Sequence, residues 1–222
     1  MKRSLLVGGR ALIALAALLL GACVGGPKAP DWQMNAYDSM QRSVIAYLSG
    51  DLRGEALEFA KARSEIASTG RPDLMARAEL LRCAARVASL VFEPCAGFEK
   101  LREDAPAAER AYADYLSARV RSQDVALLPA PQQAVAGTPD VAALGRISDP
   151  LSQLVAAGVV FERGQAGPAV MALAVHTASA QGWRRPLLAW LMVQARAAEQ
   201  GGDSAEVARV RRRIDLVQNV RP

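Results

Sequence analysis

The chain has a single histidine, and imidazole is the side chain that ordinarily titrates near neutral pH. His176 lies between Val175 and Thr177 in a stretch with helical character. A Ser-His-Asp site would need this residue, yet the sequence has no nucleophile elbow and no oxyanion loop to accompany it. We therefore expect a structural histidine, buried in its helix with its ring satisfied locally, and we assign no catalytic residue.

The sequence lacks the residue patterns that other common catalytic and metal-binding sites require. A zinc site needs several Cys or His ligands, whereas the chain has one histidine and three cysteines. The glycines of Gly164-Gln-Ala-Gly167 lack the spacing and the lysine of a phosphate-binding loop. Glu55 and Glu58 share a predicted helix face with Lys61, which is the usual pattern of a solvated surface. The sequence thus predicts no metal, no cofactor and no enzyme.

Two arginine-rich stretches have the residue types of a binding surface. Trp183-Arg184-Arg185, between Gly182 and Pro186, places an aromatic ring and two guanidinium groups in a predicted turn, as at interaction hot spots. The last predicted helix carries the second group, Arg209, Arg211, Arg212 and Arg213. These would suit acidic partners or lipid headgroups. The alternatives are that Trp183 folds onto the next helix near Trp190 and that all these arginines are solvated.

The first 23 residues have the order of an export signal. A basic start is followed by an unbroken apolar run at 11–20 and by small residues. The run is shorter than the roughly 20 residues that span a bilayer. Leu20-Gly21-Ala22-Cys23 resembles the lipobox of bacterial lipoproteins, which implies cleavage before Cys23 and attachment of fatty acids such as palmitate to it. Val24 rather than Asp follows, so the resemblance implies the outer membrane, facing the periplasm. The alternative is a general secretory signal.

The net charge of +5 comes mostly from this signal. Removal of residues 1–22 removes three basic residues and no acid, so 27 basic residues become 24 against 22 acidic ones, which leaves +2. The basic composition is therefore no evidence for nucleic-acid binding. Hydrophobic residues make up 51% of the chain and aromatic residues 5%. This balance, rich in Ala, Leu and Val, favours packed helices.

Cys83 and Cys95 remain once Cys23 is assigned to lipid. An even number of cysteines in an exported chain favours a disulfide. A turn near Ser89 would bring the two residues together across an antiparallel helix pair, whereas Pro94 suggests a later turn that moves them out of register. A bridge and two buried thiols both remain open.

Apolar spacing, capping residues and glycine or proline breaks predict an all-α fold. Helices should start near positions 31, 51, 72, 95, 106, 150, 169, 186 and 203. In the first helix the residues at helical spacing are Trp32, Tyr37, Met40, Val44, Tyr47 and Leu48. The helix at 169–180 is apolar nearly all round, so we expect it to be central and buried.

The helical period is lost after Arg121, where residues 127–139 are rich in Pro, Gln and Ala. Such a stretch is typical of a linker or a long surface loop. We predict a signal peptide at 1–22, a lipidated cysteine and tether at 23–30, a helical half at 31–121, a linker or loop at 122–148 and a second helical half at 149–222. A single helical array with an inserted loop is the alternative.

Two predicted turns have similar sequences. Gly50-Asp51 leads to Glu55-Ala56, and Gly202-Asp203 leads to Glu206-Val207. A Gly-Asp turn followed by Glu-Ala resembles the turn within tetratricopeptide repeats. The resemblance covers these two hairpins and implies stacked helical hairpins in an α-solenoid. An irregular helical bundle is the alternative.

These features predict a non-enzymatic scaffold or adaptor, anchored to the bilayer through Cys23, that binds another envelope protein through a groove between helices. The alternative is an envelope enzyme or a glycan-binding module that uses the Trp183-Arg184-Arg185 turn. A groove lined with exposed aromatics would favour the adaptor. A deep pocket that holds His176 beside an acidic residue would favour the enzyme.

Overall fold

Helices make up all the regular secondary structure in residues 29–137 and 140–219, the part of the chain that the computed structural model describes, which confirms the predicted all-α fold. The predicted signal peptide, Cys23 and the tether up to residue 28 lie outside the described residues. The α-helices are α1 Asp31–Ser49, α2 Leu52–Ala67, α3 Pro72–Ala88, α4 Ala96–Glu99, α5 Ala107–Leu116, α6 Ala130–Ala136, α7 Val141–Gly145, α8 Pro150–Glu162, α9 Pro168–Ala180, α10 Arg184–Gln200 and α11 Ser204–Gln218, with a 3₁₀ helix at Ser122–Leu127. None of the described helices is long and apolar enough to cross a bilayer.

Helix starts follow local chemistry. Asp51, Asp149 and Asp203 precede α2, α8 and α11, and their carboxylates accept hydrogen bonds of 2.7–2.9 Å from backbone amides of the first turn. These bonds satisfy donors that would otherwise have no partner at a helix N-terminus. Pro72 and Pro150 occupy first-turn positions, where the missing amide costs nothing. The sequence predicted helix starts near positions 51, 72, 150 and 203, and helices begin there at Leu52, Pro72, Pro150 and Ser204.

The central buried helix is α8. Its residues 153–160 are all buried in a core that also contains Leu80 and Val87 of α3, Tyr115 of α5 and Trp190 of α10. Gly158 lies at the contact with α3, where an added Cβ would overlap the carbonyl oxygen of Val87. The residues of α8 therefore hold together helices from both predicted halves of the chain.

The expectation that α9 is central and buried was wrong. Its buried residues are Val170, Ala174, Val175, Thr177 and Ala178, while Ala169, Ala172 and His176 are exposed. The outward face of α9 consists mainly of alanine, serine and histidine. Alanine counts as apolar in a sequence pattern but has little surface to bury, so the pattern overstated the burial of this helix.

The segment at 122–148, expected to be a linker or a long loop, contains the 3₁₀ helix, α6 and α7. It contributes six buried side chains to the main core, Leu128, Val135, Ala136, Ala143, Leu144 and Ile147. The side chain of Gln132, also buried, donates to the carbonyl of Ser152 in α8 at 3.3 Å. Each helix here is at most 7 residues long, which is too short to display a helical period in the sequence.

The first three helices enclose two smaller apolar clusters. One consists of Ala36, Met40, Phe59, Ala62, Ile66 and Ala78, and the other of Val44, Tyr47, Leu48 and Ala85. Leu151 and Trp183 pack against both the second of these clusters and the main core. These two side chains therefore join α1 to the C-terminal helices.

Candidate functional site

Trp183 packs inward at the start of α10. It is half-buried against the main core and against the cluster formed by Val44, Tyr47, Leu48 and Ala85. The aromatic ring that the sequence offered as an exposed hot spot thus packs within the chain, against the first helices as well as the main core. An indole held in this way stabilises the fold by burying apolar area.

Arg185, two residues further on, contacts α1. Its guanidinium lies 4.5 Å from the centre of the Tyr47 ring, and its Nε donates to the Tyr47 carbonyl oxygen at 3.2 Å. Burial raises the pKa of the Tyr47 hydroxyl, against the opposing effect of Arg185 and Arg86. Arg184 lies against Gly50, where φ is +92° and an added Cβ would be 3.2 Å from Nη2 of Arg184. The two arginines are therefore held in place at the turn after α1.

These arginines stand at one end of a cavity of about 590 Å³, which we call the α10 trough. One face of α10 forms one wall, with Arg184, Arg185, Leu188, Ala189, Met192, Val193 and Arg196. Gly50, Ser89, Leu90, Val91 and Phe161 complete the lining. Arg196 lies at the opposite end of the α10 wall, and the residues between are apolar. No residue among those that line the trough in the described part of the chain is acidic.

A second groove of about 330 Å³ runs between α1 and α3, and we call it the α1–α3 groove. Its lining is mainly apolar and comprises Trp32, Gln33, Ala36, Tyr37, Met40, Gln41, Ile66, Arg71, Leu74, Arg77, Ala78 and Leu81. Tyr37 is 64% exposed. The arginines at the rim are paired with acids, Arg71 with Asp73 at 2.6 Å and Arg77 with Glu109 at 2.5 Å.

The exposure of Tyr37 differs from the sequence expectation, which grouped it with the inward residues of α1. The buried positions of α1 are 36, 39, 40, 43, 44, 47 and 48. Tyr37 precedes Val44 by seven residues and therefore lies at the edge of this stripe, about 20° from Val44 around the helix. The helical period alone does not show that its side chain is exposed, because burial at the edge of a stripe depends on what packs there.

The predicted solvated face of α2 is partly an interface with α3. Glu55 is buried, and it accepts hydrogen bonds from Arg82 on α3 at 2.5 and 3.2 Å. The Arg82 guanidinium also lies 4.4 Å from the centre of the Phe59 ring. Glu58 follows the expectation and pairs with Lys61 at 2.6 Å. Because the Glu55 carboxylate is neutralised and hydrogen-bonded by arginine, it serves packing rather than proton transfer.

Cys83 and Cys95 form a disulfide, with their Cα atoms 5.9 Å apart. Cys83 lies in the last two turns of α3, and Cys95 precedes α4 after the chain has turned back. The turn contains Leu90, whose φ of +58° is left-handed. The bond forms part of the lining of a cavity of about 750 Å³ that also contains acidic and basic side chains in similar numbers.

The arginines of α11 are separate from the α10 trough. Arg209 pairs with Glu206 on the same helix and Arg211 with Glu199 of α10, at 2.6 and 2.7 Å. Arg212 is exposed and Arg213 is half-buried. The lining of the trough includes none of the described α11 residues. The structure therefore does not bring the two predicted arginine groups into one surface.

His176 is exposed on α9, so the expected burial of its ring was wrong. The histidine faces outward with the small residues of that helix. Among residues 29–137 and 140–219, no group of three or more His, Cys, Asp or Glu side chains is arranged to hold a metal ion. The grooves described above thus remain as the candidate sites.

Comparison of the chain with protein-family models, with curated proteins and with solved structures finds no match.

Proposed function

We propose that this protein is a lipid-anchored adaptor of the bacterial cell envelope. The basic, apolar and small-residue order that ends in Leu20-Gly21-Ala22-Cys23 supports lipidation at Cys23 and a position on the outer membrane, facing the periplasm. The disulfide between Cys83 and Cys95 supports export, because such bonds persist in oxidising compartments.

The observation that carries the adaptor function is the α1–α3 groove. It is an apolar channel between two helices, with the aromatic residues Trp32 and Tyr37 in its lining and paired charges at its rim. Grooves of this kind accept the apolar face of an amphipathic helix. An exposed tyrosine beside such a channel provides contact area at low entropic cost. We propose that an apolar helical segment of another envelope protein binds here.

The position of the groove suits this role. Its first wall, α1, begins eight residues after Cys23, and eight extended residues span at most about 28 Å. A protein bound in the groove would therefore be held close to the membrane. The Gly50-Asp51 turn, which resembles that of tetratricopeptide repeats, follows this same helix. In a helical-repeat architecture, the groove would therefore lie on the surface of a helical hairpin.

The enzyme and glycan-binding alternatives lack a supporting observation. His176 is exposed on α9 and lies outside the linings of the α10 trough and the α1–α3 groove. The Trp183 ring is half-buried against the core, which leaves less of its surface for stacking on a sugar. Both features count in favour of the adaptor.

A photoreactive amino acid placed at Tyr37 in intact cells tests the proposal. We expect it to crosslink to a discrete envelope protein, and the same probe at Leu57, which is 58% exposed on α2, to give no such product. Leu74→Glu adds a charge to the groove wall and should abolish the crosslink, because an unpaired charge cannot be buried against an apolar face. Leu52→Glu, at a site that is 55% exposed outside the groove, is the matched control.

The same products from Tyr37 and Leu57, or a Tyr37 product that persists with Leu74→Glu, would refute the groove as the docking site.

A further inference from the structure

The wall of the α10 trough has a regular order of side chains. Arg185, Ala189, Met192 and Arg196 follow one another at spacings of four, three and four residues, which places them on one face of α10. The separation of 11 positions between Arg185 and Arg196 corresponds to about 17 Å of helix. The trough is thus a channel with a cation at each end and apolar residues between.

Arg185 and Arg196 differ from several other arginines of the described chain in forming no ion pair with a described acidic residue. Arg82 and Arg209 each have an acidic partner in the chain, Glu55 and Glu206. Arg196 is exposed and forms no ion pair with the described residues. Arg185 contacts the ring and carbonyl of Tyr47, which leaves its charge unneutralised by any acid of the described trough lining.

We propose that the α10 trough binds an amphipathic segment of a partner protein that has an acidic residue at each end and apolar residues between. The two arginines would pair with the two acids, and Met192, Leu188 and Val193 would contact the apolar residues. A phospholipid has its charge at one end only, whereas the trough has cations at both. Charge complementarity over an apolar floor therefore selects a peptide.

This surface is distinct from the α1–α3 groove, and the inference holds whether or not that groove binds a helix. With both occupied, the chain would hold two partners at once, as an adaptor must. The sequence offered Arg184 and Arg185 as contact residues, but Arg196 was not among the candidates. Only the helical register of α10 brings it into the same channel.

A synthetic peptide that mirrors the channel tests the inference. The probe is a helical peptide with Glu, Leu, Leu and Glu at spacings of four, three and four residues, labelled with a fluorophore. The control peptide has the same composition in scrambled order. The full chain is held in nanodiscs of zwitterionic phosphatidylcholine. We expect the ordered peptide to bind, the scrambled peptide to bind at least about tenfold more weakly, and the affinity to fall as salt is added.

Reversing the charge of single arginine residues locates the binding site. Arg196→Glu should weaken binding about tenfold, because a like-charge pair replaces an attractive one. Arg53→Glu, on the exposed surface of α2 and outside the lining of the trough, changes the net charge equally and should have little effect. Two further peptides each carry Lys in place of one terminal Glu. One of them should recover binding to the Arg196→Glu chain, a gain that a misfolded variant would not give.

Equal weakening by Arg196→Glu and Arg53→Glu would overturn the inference, because it would show a non-specific electrostatic effect. Equal binding of the ordered and scrambled peptides would do the same. Displacement of the peptide by phosphatidylglycerol vesicles, with vesicle binding that also depends on Arg196, would assign the trough to lipid headgroups instead.

Discussion

Gly158 determines how closely α8 approaches α3. A glycine inside a helix ordinarily costs about 1 kcal/mol relative to alanine, so Gly158→Ala should stabilise an isolated α8. In this chain the added Cβ would overlap the carbonyl oxygen of Val87, a backbone atom that cannot turn aside. We expect Gly158→Ala to lower the free energy of unfolding by about 1–3 kcal/mol, because the two helices must separate.

Urea unfolding measures this change, and Gly145→Ala is its control. Gly145 is the last residue of α7 and has open space where a Cβ would be. That substitution should leave stability unchanged or raise it by up to about 1 kcal/mol. A Gly158→Ala chain as stable as the Gly145→Ala chain would show that the crossing of α3 and α8 is looser than described.

The structural role of a residue could be predicted where it depends on the sequence of a single helix. The capping aspartates follow from local sequence, whereas the helical period grouped Tyr37 with the inward residues of α1 although its side chain is 64% exposed. The burial of Glu55 did not follow, because it depends on Arg82, 27 residues later. The exposure of His176 was missed for a related reason, since no pattern within α9 tells which face meets α8 and α10.

At the scale of elements, the Cys83–Cys95 bond joins α3 to the segment before α4 across 12 residues. A crosslink over a loop of that length stabilises a chain by about 3 kcal/mol through the entropy of the unfolded state. We expect the free energy of unfolding of the Cys83→Ser, Cys95→Ser double variant to be about 3 kcal/mol lower than that of the oxidised protein. Urea unfolding with and without reductant measures this, with Cys23→Ser as the control.

Reductant should destabilise the oxidised protein and the Cys23→Ser chain but leave the double variant unaffected. Alkylation of the unfolded, unreduced protein should find both thiols blocked. Two alkylated thiols at positions 83 and 95 in exported material would contradict the bond.

Long elements could be predicted from the sequence, whereas α6 and α7 could not, although the short helix α4 begins close to its predicted start near position 95. The helices that begin at Asp31, Leu52, Pro72 and Pro150 each contain at least 13 residues, enough for an apolar period and a cap. Helices α6 and α7 have 7 and 5 residues. Which of their apolar side chains are buried depends on the core against which they pack, and their own sequence does not show it. The lining of the α10 trough comes from four separate segments of the chain, so no single stretch of sequence predicts it.

At the scale of the whole molecule, the proposed anchor would determine where the grooves act. The lipobox predicts that Cys23→Ser leaves the chain without lipid and incompletely processed. Metabolic labelling with a radioactive fatty acid, followed by membrane fractionation, should find label in the natural chain and none in the variant. Cys83→Ser with Cys95→Ser should keep the label, because those positions lie far beyond the signal. Equal labelling of the Cys23→Ser chain would contradict the anchor.

The contact between Arg185 and Tyr47 joins positions that are 138 residues apart in the chain. A chain emerging from a ribosome or an export channel therefore presents α1 long before its partner helix exists. Until Trp183 and Arg185 arrive, the cluster around Tyr47 and Leu48 lacks one of its walls. Contacts between residues so far apart in sequence slow folding. Until they form, the N-terminal helices expose apolar surface. During this period the nascent protein thus exposes an apolar surface that a chaperone can bind.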